Sequence, residues 1–166
     1  IWQISPEGKG GPSTHTNDCK LFIISPVLYF FAGVKLSEYL SSTFGENVKR
    51  LTNWICFNPS RGVYFANKYK IWNSSELPIT EYSMVLRLAE QYLIRAEARL
   101  KMDKTQEAVE DLDVIRKRAN LPLLAEINPT ISGEALLKEI YTQRREELFT
   151  EWGHRWFDLK RSGYID

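Results

Sequence analysis

Residues 86–99 read LRLAEQYLIRAEAR. Leu86, Ala89, Leu93, Ala96 and, one step further, Leu100 recur at spacings of three and four, which puts them on one face of a helix. Arg87, Glu90, Arg95 and Arg99 fall on the other face, and the helical period sets in at about Ser83 or Leu86. Asp103, with Gln106 three residues on, resembles a capping box that opens a second helix. There Ala108, Leu112, Ile115 and Ala119 share a face, and Asn120 and Pro122 end it. A connection of about four residues forces the two helices antiparallel. Ala96 and Ala108 face each other in this register, so the axes approach the close end of the usual range of about 8–10 Å. Tyr92, Ala96, Ala108 and Leu112 fill the large, small, small, large positions of a tetratricopeptide repeat, with Arg99 where an aromatic is usual. One such unit cannot bury both of its faces, so it needs neighbours.

Working outward, 128–130 (Asn-Pro-Thr) is a turn and Ser132 is an N-cap, with Glu134 in the first turn of a third helix. Leu136, Ile140 and Leu148 form its apolar side, and Leu137, Tyr141 and Trp152 an adjacent stripe. Gly153 breaks the helix. A shorter one follows from Arg155 or Trp156 to Ser162 and ends at Gly163. Trp152, Trp156 and Phe157 read as core. Before residue 80 the pattern is less regular. Residues 1–20 read as loop, with turn formers at 13–18 and Trp2 standing out. Residues 21–34 are apolar and fit a buried extended segment. Ser37 caps a short helix through Thr43 that ends near Gly45. Residues 50–57 fit a strand stopped by Asn58 and Pro59, 62–72 fit a second strand, and 73–75 a turn. Pro78 blocks any helix start before Ile79. The expected fold is mainly α: a tetratricopeptide-like hairpin plus C-terminal helices, with short strands in an irregular N-terminal part. We expect one domain over 1–166, irregular over 1–80 and helical over 81–166.

The bulk numbers exclude several classes. With 22 basic and 21 acidic side chains the net charge is +1, without the basic excess that non-specific nucleic-acid binding needs. The 21–34 run is shorter than the roughly 20 residues a bilayer demands, and Pro26 interrupts it. Cys19 and Cys56 share no ligand spacing with each other or with His15 or His154, so no metal framework is visible. Two unlinked thiols are favoured, and a disulfide stays open. With Ile1 first and no signal or lipidation motif, the chain reads as a piece of something longer.

Three groups could carry chemistry. The first is the charge-dense run Arg144, Arg145, Glu146, Glu147 with Arg155, Asp158, Lys160 and Arg161. It reads as structural ion pairs that lock the last two helices, in preference to an anion site. Arg95, Glu97, Arg116 and Arg118 read the same way. The second is acidic. Glu107, Glu110, Asp111 and Asp113 read as an exposed helix face and not as the paired acids of a glycosidase. Glu151 and His154 make one E-x-x-H, but a di-metal site needs a second copy. The third is aromatic. Flat rings stack on the apolar faces of sugars, so Trp2, Trp54, Tyr64 and Trp72 are the candidate ligand contacts, Trp2 and Trp54 first.

Residues 86–99, then 107–120 with Asp111-Leu112 and Ile115-Arg116-Lys117-Arg118-Ala119, then 144–163 (RREELFTEWGHRWFDLKRSG) together resemble the SusD/RagB family of bacterial outer-membrane lipoproteins. The match covers roughly residues 80–163. Ala66-Asn67-Lys68-Tyr69 looks like the family's Lys-Tyr stretch. Residues 35–54 resemble its short helix and acidic-x-Arg turn, with Val48 where the acid would stand. The resemblance implies a C-terminal portion of a lipid-anchored surface protein that binds oligosaccharide or another nutrient. It implies no enzyme activity and no cofactor. The implied partner is a SusC-like TonB-dependent barrel. Arg87, Glu90, Glu97, Arg116, Arg118 and Arg145 fall in the family's structural motif, as do Glu147, Glu151, Arg155, Trp156, Asp158 and Arg161. The competing reading is a helical-repeat adaptor that binds a protein partner.

Overall fold

The computed structural model describes residues 2–6, 15–24, 34–45, 48–71 and 77–163. In chain order its elements are β1 (Trp2–Ile4), α1 (Asn17–Phe22), α2 (Glu38–Thr43), α3 (Lys49–Trp54), β2 (Ile55–Asn58), β3 (Val63–Ala66), β4 (Ser83–Leu86), α4 (Leu88–Lys101), α5 (Thr105–Arg118), α6 (Leu124–Ile127), α7 (Gly133–Leu148) and α8 (His154–Arg161). The fold is mainly α, as expected. The chain forms two compact units, Ile1–Leu86 and Arg87–Asp166. No helix among the described residues is long and apolar enough to cross a membrane.

In the first unit, β1 pairs antiparallel with β4 (Gln3 opposite Met84, Ile4 opposite Ser83), with an irregularity between Trp2 and Gln3. The Ser83 hydroxyl donates to Asp18 Oδ2 at 2.7 Å. Residues 1–20 are therefore not all loop. Three residues are too few to display a period, and their partner lies some eighty positions on. The Thr16 hydroxyl caps α1 by accepting from the Cys19 amide at 3.3 Å, so 21–22 are helical rather than extended. Most of the expected buried segment and the 73–75 turn lie outside the described residues. The Ser37 cap holds, its hydroxyl accepting from Leu40 N at 3.2 Å. Residues 50–54 are helical instead of extended, and only 55–58 form the strand that pairs in register with β3. The second strand ends at Ala66, well short of residue 72. Val48, Ile55, Phe65 and Ala66 are buried, as are Leu36, Phe44 and Cys19. Both cysteines are free thiols. Burial outweighs the Thr16 contact and pushes the Cys19 thiol up.

The second unit is a helical block. Its core joins Ala89, Leu93 and Ala96 of α4, Ala108, Leu112 and Ile115 of α5, and Leu136, Ile140 and Leu148 of α7. The paired faces read from the sequence are the buried ones. Ala96 and Ala108 are fully enclosed, as close axial approach requires. The helix starts at Leu88 rather than earlier, because Ser83–Leu86 is drawn into β4 and Arg87 is extended. Asp103 does not cap α5. It takes a left-handed conformation (φ 59°), where its amide donates to Leu100 O and the next amide, of Lys104, to Arg99 O. That pair of bonds is a Schellman closure of α4. Asn120 (φ 62°) repeats it at the end of α5, with its amide on Lys117 O and the Leu121 amide on Arg116 O. Ser132 is the N-cap of α7, without a side-chain cap bond.

Candidate functional site

The second unit buries charge along three seams. At the first, Arg87 donates from Nη1 to Glu147 Oε1 and from Nε to Glu151 Oε2, both at 2.9 Å, and from Nη2 to the Glu147 carbonyl at 2.8 Å. Arg118 pairs with the same Glu147 oxygen. Glu147 is fully enclosed, and a buried carboxylate is tolerable only when paired in this way. One acid thus ties the N-cap of α4, the last residue of α5 and the last turn of α7. Arg145 and Glu146 lie beside it on α7, half-buried and buried.

At the second seam Glu97 of α4 accepts from Arg161 Nη1 at 2.6 Å and from Tyr141 OH at 3.1 Å, with Lys101 Nζ at 3.1 Å. Asp158 takes Arg144 Nε and Arg161 Nε, each at 2.9 Å. Arg161 therefore bridges α4 to α8, and Arg144 bridges α7 to α8. Desolvation alone would raise the Glu97 carboxyl. Hydrogen bonds from Arg161 and Lys101, with their charges, outweigh it and bring the pKa down to about 2. For Arg161 the bond to Glu97 is the largest influence and pushes its guanidinium up. Such a carboxylate stays ionised at neutral pH and cannot act as a general acid.

The third seam overturns an expectation. Asp111 and Asp113 are buried, not part of an exposed face. Asp111 receives a fork from Arg95, Nε at 2.8 Å and Nη2 at 2.6 Å, and Arg99 Nη1 at 2.6 Å. Arg99 stands at the aromatic position of the repeat because it meets this acid. Asp113 accepts from the Leu124 and Ala125 amides at 2.7 and 3.1 Å, which starts α6. Arg116 pairs with Glu139 and donates to Pro122 O. Glu110 remains exposed.

Between α4 and α8 lies a groove of about 470 Å³. Ile94, Ala98 and Phe157 supply its apolar surface, and the Glu97–Arg161 and Arg144–Asp158 pairs line it too. At one end His154 Nδ1 sits 3.6 Å from Glu90 Oε1. The E-x-x-H pair is thus divided, Glu151 on Arg87 and His154 beside Glu90. Arg155 is exposed. Trp152, Trp156 and Phe157, read as core, are 55%, 54% and 61% exposed. The reason is the polarity of α8. His154, Asp158 and Arg161 share the stripe that meets α4 and α7, which leaves the rings outside. The turn before it is strained, with Thr150 at φ 61° and Trp152 at φ 40°.

The three described ring candidates are divided between two two-stranded sheets and their flanks. Trp2 stands on β1, 72% exposed. Tyr64 on β3 lies opposite Phe57 on β2, ring centroids 4.9 Å apart at 51°. Trp54 is half-buried under Lys68, whose Nζ lies 4.6 Å from the ring centroid. Trp54 and Tyr64 therefore belong to one hairpin region, and Trp2 to the other two-stranded sheet. Trp72 lies outside the described residues. Phe57, 50% exposed, was missed by the sequence reading. The cross-strand register with Tyr64 is the signal that marks it. A second groove, of about 610 Å³, is lined by Ser5, Leu77, Pro78, Ile79 and Tyr82.

The model of the SusD family matches residues 34–166. A solved SusD superfamily protein from Bacteroides vulgatus is similar in fold over 87% of this chain, with a TM-score of 0.69 and 20% identity. This chain spans 36% of that protein's length. A solved chain titled BT4246 is 30% identical over 63% of this chain and 19% of its own, with a TM-score of 0.46, too low to support a structural argument. No curated protein matches.

Proposed function

The chain belongs to the SusD family, and on that premise we propose that it is the C-terminal part of a surface nutrient-binding lipoprotein. In this reading the parent captures an oligosaccharide and hands it to a SusC-like TonB-dependent barrel in the outer membrane. A lipid on an N-terminal part upstream of this chain anchors it. The family match over residues 34–166 carries the reading. The second unit supports it as scaffold, since its buried acids Glu97, Asp111, Glu147 and Asp158 are held as arginine salts and not presented to a substrate. We assign ligand contact to the first unit, through Trp2 and the Phe57–Tyr64 pair, with Trp54 and Trp72 as further candidates. Ile94 and Ala98, one turn apart on α4, are both exposed, which favours a second reading, a helical-repeat adaptor for a protein partner.

Mass spectrometry of the mature N-terminus of the parent, purified from its membrane, separates the two. An acylated N-terminal cysteine supports the lipoprotein. A free N-terminus in a soluble fraction supports the adaptor. Calorimetric titration of the parent with candidate oligosaccharides then tests the site. A stacked ring contributes about 0.5–1.5 kcal/mol, so Trp2→Ala is expected to weaken binding by roughly twofold to tenfold. Unchanged affinity removes Trp2 from the site.

A further inference from the structure

Charge is not spread evenly along the chain. Residues 48–71 hold five basic side chains, Lys49, Arg50, Arg61, Lys68 and Lys70, and no acidic one, in a protein of net charge +1. All 21 acids therefore lie elsewhere. The stretch folds as α3, β2 and β3, with a segment that returns beside the end of α3, where the Asn67 amide donates to Trp54 O at 2.7 Å. Arg50 is buried, while Lys49, Arg61 and Lys70 are exposed. Two of the cations converge at the base of the hairpin that carries Phe57 and Tyr64. Lys70 Nζ donates to the carbonyls of Asn53 and Asn67 at 2.6 and 3.2 Å. Lys68 Nζ lies 4.6 Å from the centroid of the half-buried Trp54 ring. Both ammonium groups thus stand against Asn53 and Trp54, the last two residues of α3. A carbonyl oxygen or a ring face fixes an ammonium in place without cancelling its charge. One acid does approach. Glu81 accepts from the Lys70 and Ile71 amides at 2.7 and 3.2 Å. Counted against the five cations, it leaves the stretch strongly positive.

We propose that the nutrient bound by the first unit is an anionic sugar, one that bears a carboxylate or a sulfate, with Trp54 against the sugar and Lys68 and Lys70 on its acid group. The proposal rests on the nutrient-binding reading above and adds the class of ligand. A ring that meets the apolar face of a sugar, with two ammonium groups beside it, matches a sugar that carries its own negative charge. A neutral sugar makes no use of that charge, whereas an acid gains charge-assisted hydrogen bonds from the ammonium groups. Lys49 and Arg61 add to the field that draws an anion toward this side of the unit.

The experiment presents the intact parent with an array of matched neutral, uronate-bearing and sulfated oligosaccharides. The acidic members are expected to bind in preference to their neutral counterparts, and the array itself tells carboxylate from sulfate. Binding without preference for the acidic member of a pair, or confined to neutral sugars, overturns this proposal and leaves the nutrient-binding reading standing. An array with no bound member removes that reading, and this one with it. The residues are then tested by calorimetric titration with the strongest acidic member. Lys70→Gln keeps a donor for the carbonyls and removes the charge, so affinity should fall roughly threefold to tenfold and its dependence on salt should flatten. Lys70→Arg should restore most of it. Lys68→Gln leaves the Lys70 bonds in place and should weaken binding to a similar degree. Lys117→Gln, on the exposed side of α5, removes the same charge elsewhere and should leave affinity unchanged. Equal losses at positions 70 and 117, or no loss at positions 68 and 70, overturn the site.

Discussion

Glu147 shows what one side chain can hold together. It is an acid with no access to water, met by guanidinium groups from two other helices. Glu147→Gln keeps the shape and removes the charge that Arg87 Nη1 and Arg118 meet, while Arg87 keeps its pair with Glu151. Breaking a buried pair in this way costs about 3–5 kcal/mol. Urea denaturation should show that loss, while Glu110→Gln on the exposed side of α5 should stay within about 0.5 kcal/mol. Equal losses in the two variants would make Glu147 an ordinary surface acid. At this scale the sequence reveals residue type and local spacing, and little of partnership. The structural role of Arg118 and Glu147 was legible. Glu147 as the common partner of Arg118 and Arg87 was not, because Arg87 lies 60 positions from it. The exposed reading of Asp111 failed for the same reason, since helix period alone does not see Arg95 and Arg99 arriving from the neighbouring helix.

Among the elements, α4 and α5 are defined by the seam of small residues between them. Ala96 and Ala108 have no exposed surface. Ala108→Leu adds three carbons where the helices touch, and overpacking of this kind costs about 1–3 kcal/mol. Its thermal midpoint should fall by several degrees, while Ala135→Leu on the exposed side of α7 should leave it nearly unchanged. A tolerant Ala108 would mean that the helices can separate without loss. Long helices with a period of 3.6 were legible for a plain reason: the core face repeats within the element itself. The short strands β1 and β4 were not, because each is defined by the other. In α8 the rule inverts. Its charged stripe is the inward one, satisfied by Glu97 and Arg144, so a reading that buries rings by habit misplaces Trp156 and Phe157.

For the molecule as a whole, acid is the informative perturbation. The Glu97 carboxyl sits at about 2 in the folded protein against an ordinary value of 4.5. Between those values the unfolded chain binds the extra proton, so stability rises with pH there. The contribution of Glu97 is complete above about pH 4.5 and is lost as pH falls through about 2. Urea midpoints measured from pH 2 to 5 should therefore decline more steeply in the wild type than in Glu97→Gln, and parallel curves would show that Glu97 is not held as described. The helical block and its family likeness were legible from three blocks of sequence, 86–99, 107–120 and 144–163. The proposed ligand contacts were legible only as a list of rings, because exposure depends on which side of a strand each ring takes. The clamp at Arg87 also sets an order of events during synthesis. A ribosome adds about 5–20 residues per second, so Glu147 emerges roughly 3–12 s after the arginine it holds. The salt bridges from Arg95 and Arg99 to Asp111 span only 16 and 12 positions, so they close within the nascent hairpin. Until the end of α7 is made, the hairpin has its hinge but not its latch.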